Sequence, residues 1–300
     1  MFSYSLNSLL VFHMVAKTQS FSKTAKLLFM TQPGVSNHVS QLETQIGTRL
    51  IIRDRGTFKL TKEGRLVYKY AEKVESTAME LQNAIVAIGK DAKPLLRVAT
   101  TPVYSRIMMP FILDSFQTEN PDITIKLDLG SSADMLKSVL SMQNDVVIVA
   151  NQKVSKKIEA LPLVKEELVL ITCTGHPLSK NNSVSLQEVA QYPLVIREEG
   201  SSTKKVVREA FESMNIKPSV LIDVRSTEFI KEWVSQGRGV SILIRRAVSE
   251  EERKHLQVVP LKEPLSLEVS VLYLKSKRHD RSVQSFVNHV KNLKTKSVLQ

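Results

Sequence analysis

The sequence predicts an α+β, multi-domain chain: an N-terminal winged helix-turn-helix, a long linker helix and a C-terminal two-lobed α/β domain. Three observations carry this. Residues 20–43, SFSKTAKLLFMTQPGVSNHVSQLE, read as two short helices joined by a tight polar turn. Residues 62–89 contain no proline and keep a seven-residue apolar repeat. Beyond Pro94, short β-branched runs alternate with helical stretches. The expected boundaries are 1–61 for the head, 62–90 for the linker helix and 91–300 for the C-terminal domain. Its lobes would span about 95–160 with 266–300, and about 165–262.

The second helix of the pair follows from its own chemistry. Thr31 or Gln32 suits the N-cap, and Pro33 suits the first turn, where its missing N–H costs nothing. Val35, Val39, Leu42 and Ile46 then fall on one narrow stripe at about 100° per residue. The opposite face carries Pro33, Ser36, Asn37, Ser40 and Thr44, with Gln32 and Gln41 on its flanks. These are short or amide side chains that reach base edges and phosphates without blocking close approach. Ahead of them, Phe21 reads as a hydrophobic staple before a Ser22 N-cap, with Ala25 and Leu28 inward and Lys23 and Lys26 outward. A plain helical hairpin with a solvated face would look the same, so the flanking sequence decides.

That flank is a short hairpin with a basic tip. Arg49–Arg53 and Phe58–Thr61 read as strands around Asp54-Arg55-Gly56-Thr57. Arg53, Arg55 and Lys59 on such a wing would grip phosphates, the source of much of the affinity and salt dependence of DNA binding. Residues 1–70 hold ten basic side chains against three acidic ones, so +7 of the net +12 lies where the motif sits. A basic face that serves only solubility is the competing reading.

From Lys62 to Gly89 the repeat Val67, Val74, Leu81, Ile88, with Tyr70, Thr77 and Ala84 between, marks a coiled-coil seam. A helix of this length spans about 42 Å, too long to be buried in so small a head. It needs a partner helix, most simply a second copy. Lys90-Asp91-Ala92-Lys93-Pro94 then reads as a hinge. The expected strands beyond it are 95–99, 123–129, 146–150, 167–173, 194–197, 220–225, 240–244 and 267–274. The expected helices are 104–118, 133–142, 203–214, 228–236 and 282–293. Strict alternation argues for a mostly parallel sheet covered on both faces, in two lobes with a cleft between them.

The first ninety residues resemble the DNA-binding end of the LysR-type transcriptional regulators. The matching run is Leu9, Phe12, Ser20-Phe21-Ser22, Ala25, Leu28, Gln32-Pro33, Val35-Ser36, Leu42-Glu43, Gly47, Leu50, Arg53, Leu60-Thr61 and Gly64, without gaps. Thr24, Gly34 and Glu63 depart from the family's usual alanines, and Ile51 from its phenylalanine. The rest of the chain is similar to the family's effector domain through Pro110, Phe116, Pro121, Gly130, Asp145, His176-Pro177-Leu178, Glu199-Gly200-Ser201, Gly237 and Gly239-Val240-Ser241-Ile242. Arg238 departs from an apolar residue there. The resemblance implies a periplasmic-binding-protein-like C-terminal domain. It also implies a homodimer with antiparallel linker helices that pairs into a tetramer, double-stranded DNA with an interrupted inverted repeat as partner, and RNA polymerase as a further partner.

Ligands of open α/β sheets sit beyond strand carboxyl ends, where helix N-termini point unsatisfied N–H groups at them. Three such ends are rich in hydroxyls: Thr100, Thr101 and Pro102; Ser131 and Ser132; Ser201, Ser202 and Thr203. They suit a small, anionic effector, and similar positions serve in the family; simple N-capping is the alternative for each. Arg197 and Arg225, each at a strand end, are weaker candidates, readable also as surface ion pairs.

Composition bounds the remaining classes. Cys173 is the only cysteine, so there is no intrachain disulfide, and within ELVLITC it reads as a small core residue. No signal segment or membrane-length apolar run is expected, which fits a cytoplasmic protein. Cys173 and His176 supply half a zinc site and no more, and the six histidines are scattered, so no catalytic residue, metal or cofactor is expected. The reading is a sequence-specific transcription regulator modulated by a small effector. The alternative is a non-specific architectural DNA-binding protein, which would have no use for a two-lobed ligand domain.

Overall fold

The computed structural model describes residues 4–54, 57–88, 93–150, 152 and 155–295. The chain divides into two compact units, Met1–Ala92 and Lys93–Gln300.

The first unit contains α1 (Leu6–Thr18), α2 (Phe21–Leu27), α3 (Gln32–Ile46), β1 (Ile51–Asp54), β2 (Thr57–Leu60) and α4 (Lys62–Ile88). Side-chain caps fix three of the helix starts. Ser5 accepts from the Ser8 N–H, Ser20 from Lys23 and Thr31 from Gly34. The cap of α2 is therefore Ser20, not the expected Ser22, and Phe21 opens the helix and packs against Phe58 with ring centroids 6.5 Å apart. Gly47, at φ +80°, ends α3 in the left-handed region that glycine enters without strain. Phe12, Val15, Val35, Val39, Leu42 and Leu50 are fully buried in one core. Ile46, expected on the same stripe, is 38% exposed and lines a surface groove with Leu6 and Leu9 of α1. The Thr24 departure has a local reason: its buried hydroxyl hydrogen bonds Thr18 Oγ1 at 2.7 Å.

The linker helix shares this unit. Ala71 is buried and Val67, Tyr68 and Val74 pack against the head's core, so the first half of α4 is partly covered by its own chain. Val67 and Val74 are thus half-buried seam positions, while Leu66, Tyr70, Leu81 and Ile85 are 57 to 61% exposed. The Ile88 side chain, named for the seam, lies outside the described residues.

The second unit runs β3 (Leu95–Thr100), α5 (Pro102–Ile107), α6 (Met109–Glu119), β4 (Thr124–Leu129), α7 (Ser132–Leu140), β5 (Val146–Ala150), β6 (Ile158–Cys173), α8 (Leu186–Val189), β7 (Leu194–Arg197), α9 (Ser202–Ser213), β8 (Val220–Val224), α10 (Thr227–Ser235), β9 (Ser241–Ile244), β10 (Leu256–Leu274) and α11 (Arg281–Thr295). The expected helix 104–118 is two helices, broken at Met108 ahead of Pro110 in the first turn of α6.

The sheet is mixed, which corrects the expected mostly parallel one. Its order is β4-β3-β5-β10-β6-β9; β3 lies parallel to β4 and β5, while β10 and β6 pair antiparallel with their neighbours. The strands expected at 167–173 and 267–274 are pieces of two long crossing strands of 16 and 19 residues. Pro162, Pro260 and Pro264 and the charges around them hide this in the sequence, because a proline normally argues against a paired strand. The ladder accommodates them with irregularities at Pro260/Leu265 and Val269/Ser270. One lobe therefore holds β3–β5 with α5–α7 and α11, the other β7–β9 with α8–α10, and β6 and β10 run through both. Arg238 is also explained: its guanidinium lies 4.9 Å over the Trp233 ring, whose indole N–H donates to the Arg238 carbonyl at 2.8 Å.

In the head, His13 on α1 is buried, stacked on Tyr68 of α4 at 5.0 Å, with Nδ1 3.4 Å from Glu75 Oε2. Burial pulls its imidazole below the ordinary 6.5, against the opposing pull of Glu75 and with help from Lys17. The folded state thus prefers neutral His13. On acidification the unfolded chain takes up this proton first, so stability is lost as pH falls through about 6.5. Calorimetry of the full chain between pH 7.5 and 5.5 should show a steeper fall of Tm for the wild type than for His13→Gln, all other histidines being common to both.

Candidate DNA-reading head and effector cleft

Three fully buried side chains, Val35, Val39 and Leu42, fix how α3 is rotated. The opposite face is then left open: Thr31, Gln32, Pro33, Asn37, Ser40, Gln41 and Thr44 are exposed and Ser36 is half-buried. Thr31 spends its oxygen on the cap and the Thr44 hydroxyl donates to Ser40 O at 2.9 Å. Gln32, Asn37, Ser40 and Gln41 thus stand at the surface as amides and a hydroxyl. Lys23 and Lys26 are exposed on α2, and Lys59 is exposed on β2. The Arg53 side chain and Arg55, both named for the wing, lie outside the described residues.

Glu43 ties the wing to this helix. Its Oε1 accepts from the N–H groups of Leu50 and Ile51 at 2.7 and 3.1 Å, which places β1 alongside the carboxyl half of α3. Between them opens a polar hollow of about 530 Å³ lined by Ser40, Glu43, Thr44, Gly47, Thr48, Arg49 and Ile51. Thr48 and Arg49 were not foreseen; the basic residue just after the helix-ending glycine was their only signal. On another side of the head, an apolar groove of about 680 Å³ is lined by Leu6, Leu9, Ile46 and the α4 residues Leu66, Val67, Tyr70, Val74 and Leu81 among others.

In the second unit the three hydroxyl-rich ends meet. One cavity is lined by Thr101, Tyr104, Ser131, Ser132, Arg197, Glu198, Ser201, Ser202 and Thr203, with Ala150, Ile244 and Leu267. Thr100 lies behind it, its hydroxyl donating to Ile148 O at 2.7 Å, and Pro102 is exposed outside it. N-capping separates the hydroxyls. Ser131 caps α7 through the Asp134 N–H, whereas Thr101 and Ser201 sit at the N-cap positions of α5 and α9 without a side-chain cap bond. Ser202 donates across the cleft to Ala150 O at 2.5 Å and receives Gln152 Nε2 at 3.0 Å.

Arg197 is buried rather than at the surface. It grips Glu198 with two bonds of 2.8 and 3.0 Å and donates to Thr227 Oγ1 at 2.8 Å. Arg225 is exposed away from it. Beneath lies Glu166, 2% exposed, whose carboxyl burial pushes up and Arg246, 3.2 Å away, pulls back. Thr101 Oγ1 and the Tyr104 hydroxyl are buried without a protein partner among the described residues.

The cleft is closed. It encloses about 20 Å³, room for roughly one water. Ala133 N–H donates across it to Gly200 O at 3.1 Å, and Arg106 of one lobe pairs with Glu228 of the other. Cys173 is half-buried rather than in the core, and His176 is occupied in accepting the Leu178 N–H at 3.1 Å. Among the described residues no group of three or more His, Cys, Asp or Glu side chains is placed to hold a metal, and no helix is long and apolar enough to cross a membrane.

Residues 6–65 match the model of the bacterial regulatory helix-turn-helix proteins of the lysR family, and residues 89–294 match the LysR substrate binding domain. The chain belongs to the LysR family of transcriptional regulators. It is 30% identical to the transcriptional activator CmpR of Synechocystis sp. over 288 residues, 95% of this chain and 94% of CmpR. Full-length CbnR in complex with its target DNA has the same fold, with a TM-score of 0.63 at 19% identity over 96% of this chain and 99% of CbnR. So has the regulatory domain of Synechocystis CcmR in complex with 2-PG, with a TM-score of 0.63 at 23% identity over 67% of this chain and 97% of that domain. LysR regulators bind DNA and small effectors and are not enzymes, so the chain's two units are a DNA-binding domain and an effector-binding domain.

Gly200 packs closely against Ser131 and Ala133 of the other lobe. Its φ is +86°, and a Cβ there would lie 2.8 Å from Ser131 Oγ. Gly200→Ala should therefore disfavour the closed cleft by about 1–2 kcal/mol, lowering Tm by on the order of 2–8 °C and enlarging the radius of gyration seen by small-angle scattering. An unchanged profile would place the closure elsewhere.

Proposed function

We propose that this regulator reads an interrupted inverted repeat in promoter DNA as a dimer, and that a small anionic effector in the cleft changes how its two heads sit on that DNA. The observation that carries the DNA reading is the uncovered amide and hydroxyl face of α3, flanked by a wing and by exposed lysines. Gln32, Pro33, Ser36 and Asn37 are assigned to base and backbone contacts in the major groove, Thr31, Ser40 and Gln41 to its rim, and Arg53, Arg55 and Lys59 to phosphates or the minor groove. CbnR, which shares this fold, was solved on its target DNA.

The dimer reading rests on the apolar groove beside α4. Leu66, Tyr70, Leu81 and Ile85 leave a continuous apolar strip on the helix, with Val67 and Val74 at its edge, and a second copy of the helix fits it best. Pairing of dimers into a tetramer and contact with RNA polymerase during activation extend the same reading from the family.

The effector reading rests on convergence of hydroxyls from both lobes at the N-termini of α7 and α9, where the helix dipoles favour negative charge. Thr100 supports the site from behind and Pro102 borders it. CcmR, solved with 2-PG, makes 2-PG a sensible first probe. Such a ligand must bind one arrangement of the lobes better than the other for switching to follow. An architectural DNA-binding role is the second reading, separated by competition: random DNA at physiological salt should displace an architectural protein but not a regulator on its operator.

Two experiments test the assignments. Gln32→Ala should cost about 1–3 kcal/mol on the operator and little on random DNA in fluorescence-anisotropy titrations; equal loss on both would move base reading to another residue. The pair Thr101→Ala and Ser202→Ala should abolish the effector-dependent change in DNA footprint, and an unchanged footprint response would remove the effector from this cleft.

A further inference from the structure

The hydroxyls around the cleft fall into two sets. Thr100 and Ser202 donate to the carbonyls of Ile148 and Ala150, and Ser131 is engaged with Asp134. Of the other lining hydroxyls, those of Thr101 and Tyr104 are the two fully enclosed without a protein partner among the described residues. They occupy the N-cap and third positions of α5, so both project from its first turn and both line the cavity. Thr101 is 6% and Tyr104 2% exposed, so bulk solvent does not serve them. An unpaired hydroxyl at such depth is costly, and the fold has taken the cost twice on one helical turn.

The carboxylates, Glu198 in the lining and Glu166 near Tyr104 but outside the lining, are in the opposite condition. The Glu198 carboxylate is held by Arg197 and the Glu166 carboxylate by Arg246. A cationic ligand would therefore have to break an ion pair to find a partner, while a ligand oxygen meets two waiting O–H groups.

We propose that Tyr104 is a specificity-determining residue of the effector cleft, its hydroxyl and that of Thr101 together receiving the oxyanion end, carboxylate or phosphoryl, of the effector. This rests on the reading of the cleft as the effector site and names the ligand class it takes and the side chain that selects it. Burial, with Glu166 adding to it, pushes the phenol pKa up, so the hydroxyl is a neutral donor at any physiological pH. Tyr104 comes from one lobe while Arg197 and Ser201 come from the other, so a ligand held by both sets joins the lobes across the cleft.

The test is Tyr104→Phe in the full-length chain, which keeps the buried ring and removes only the oxygen. Thermal shifts are measured with inorganic phosphate and with 2-PG against chloride at matched ionic strength, beside wild type and the Thr101→Ala, Ser202→Ala double variant. General salting effects and phosphate bound to the basic head are common to all three proteins. Wild type should show an oxyanion-specific shift whose apparent Kd is about tenfold or more weaker in Tyr104→Phe, while ligand-free Tyr104→Phe melts at or above the wild-type temperature. Three results overturn the proposal: no oxyanion-specific shift in wild type, a shift unchanged in Tyr104→Phe, or a ligand-free Tyr104→Phe that melts several degrees lower. If the double variant loses the shift while Tyr104→Phe keeps it, only the role of Tyr104 falls. If neither variant alters it, the cleft itself is not the site.

Discussion

The rotation of α3 about its own axis is the constraint on which the DNA-reading unit depends. Val35, Val39 and Leu42 are buried without exposure, and each is worth about 1.5–3 kcal/mol in that position. Turning the helix by one residue, about 100°, would expose that stripe and bury amides without partners. Several kcal/mol therefore hold the amide and hydroxyl face outward. Glu43 extends the constraint to the wing. Because its carboxylate takes two backbone N–H groups of the Leu50–Ile51 segment, α3 and the start of the wing are tied together.

The effector unit depends on a different restraint. Only β6 and β10 pass through both lobes, and they pair along nearly their whole length from Leu274↔Ile158 to Leu256↔Cys173. The lobes can pivot about this ribbon but cannot part. What holds them shut is modest: hydrogen bonds such as Ala133 to Gly200 and Ser202 to Ala150, each worth about 0.5–1.5 kcal/mol, and the exposed Arg106–Glu228 pair, worth at most about 1 kcal/mol. A closed state held this lightly is one that a ligand with a few kcal/mol of differential affinity can reset.

The sequence made the head legible because its signals are local. In α3 a cap, a proline in the first turn and a four-residue apolar stripe all lie within twenty residues, and of these only Ile46 missed its expected place, while the cap of α2 fell two residues before the expected Ser22. The effector unit was legible in its short elements and not in its long ones. A strand carrying Pro260 and Pro264 looks like a loop, and only pairing with a partner a hundred residues earlier reveals it. The cleft was half legible. Hydroxyls after strands could be listed as candidates, but whether each one caps, braces or waits depends on atoms of another lobe. That is why Thr101 and Ser131 looked alike in the sequence and differ in the structure, and why Tyr104, a core aromatic by every local sign, gave no signal. Arg197 misled for the same reason: a charged residue at a strand end is ordinarily solvated, and here Glu198 and Thr227 allow it to be buried.

The linker helix shows how one repeat serves two purposes. Val67, Ala71 and Val74, spaced at four and three residues, face the head's own core, while Leu66 and Tyr70 beside them and Leu81 and Ile85 further along the helix are left exposed. A seven-residue repeat does not distinguish the two, because Leu81 holds the same place in it as Val67 and Val74, and only the reach of the head's core decides which of them is covered. The groove they border is also lined by Leu9 of α1 and by Ile46, the last residue of the reading helix. A partner helix laid in that groove would cover Ile46 and press on Val67 and Val74, which already touch the core that fixes the rotation of α3. In the proposed dimer, pairing of two chains and the attitude of the α3 face would be one packing problem, and a shift of the partner along α4 would be felt directly at the end of α3.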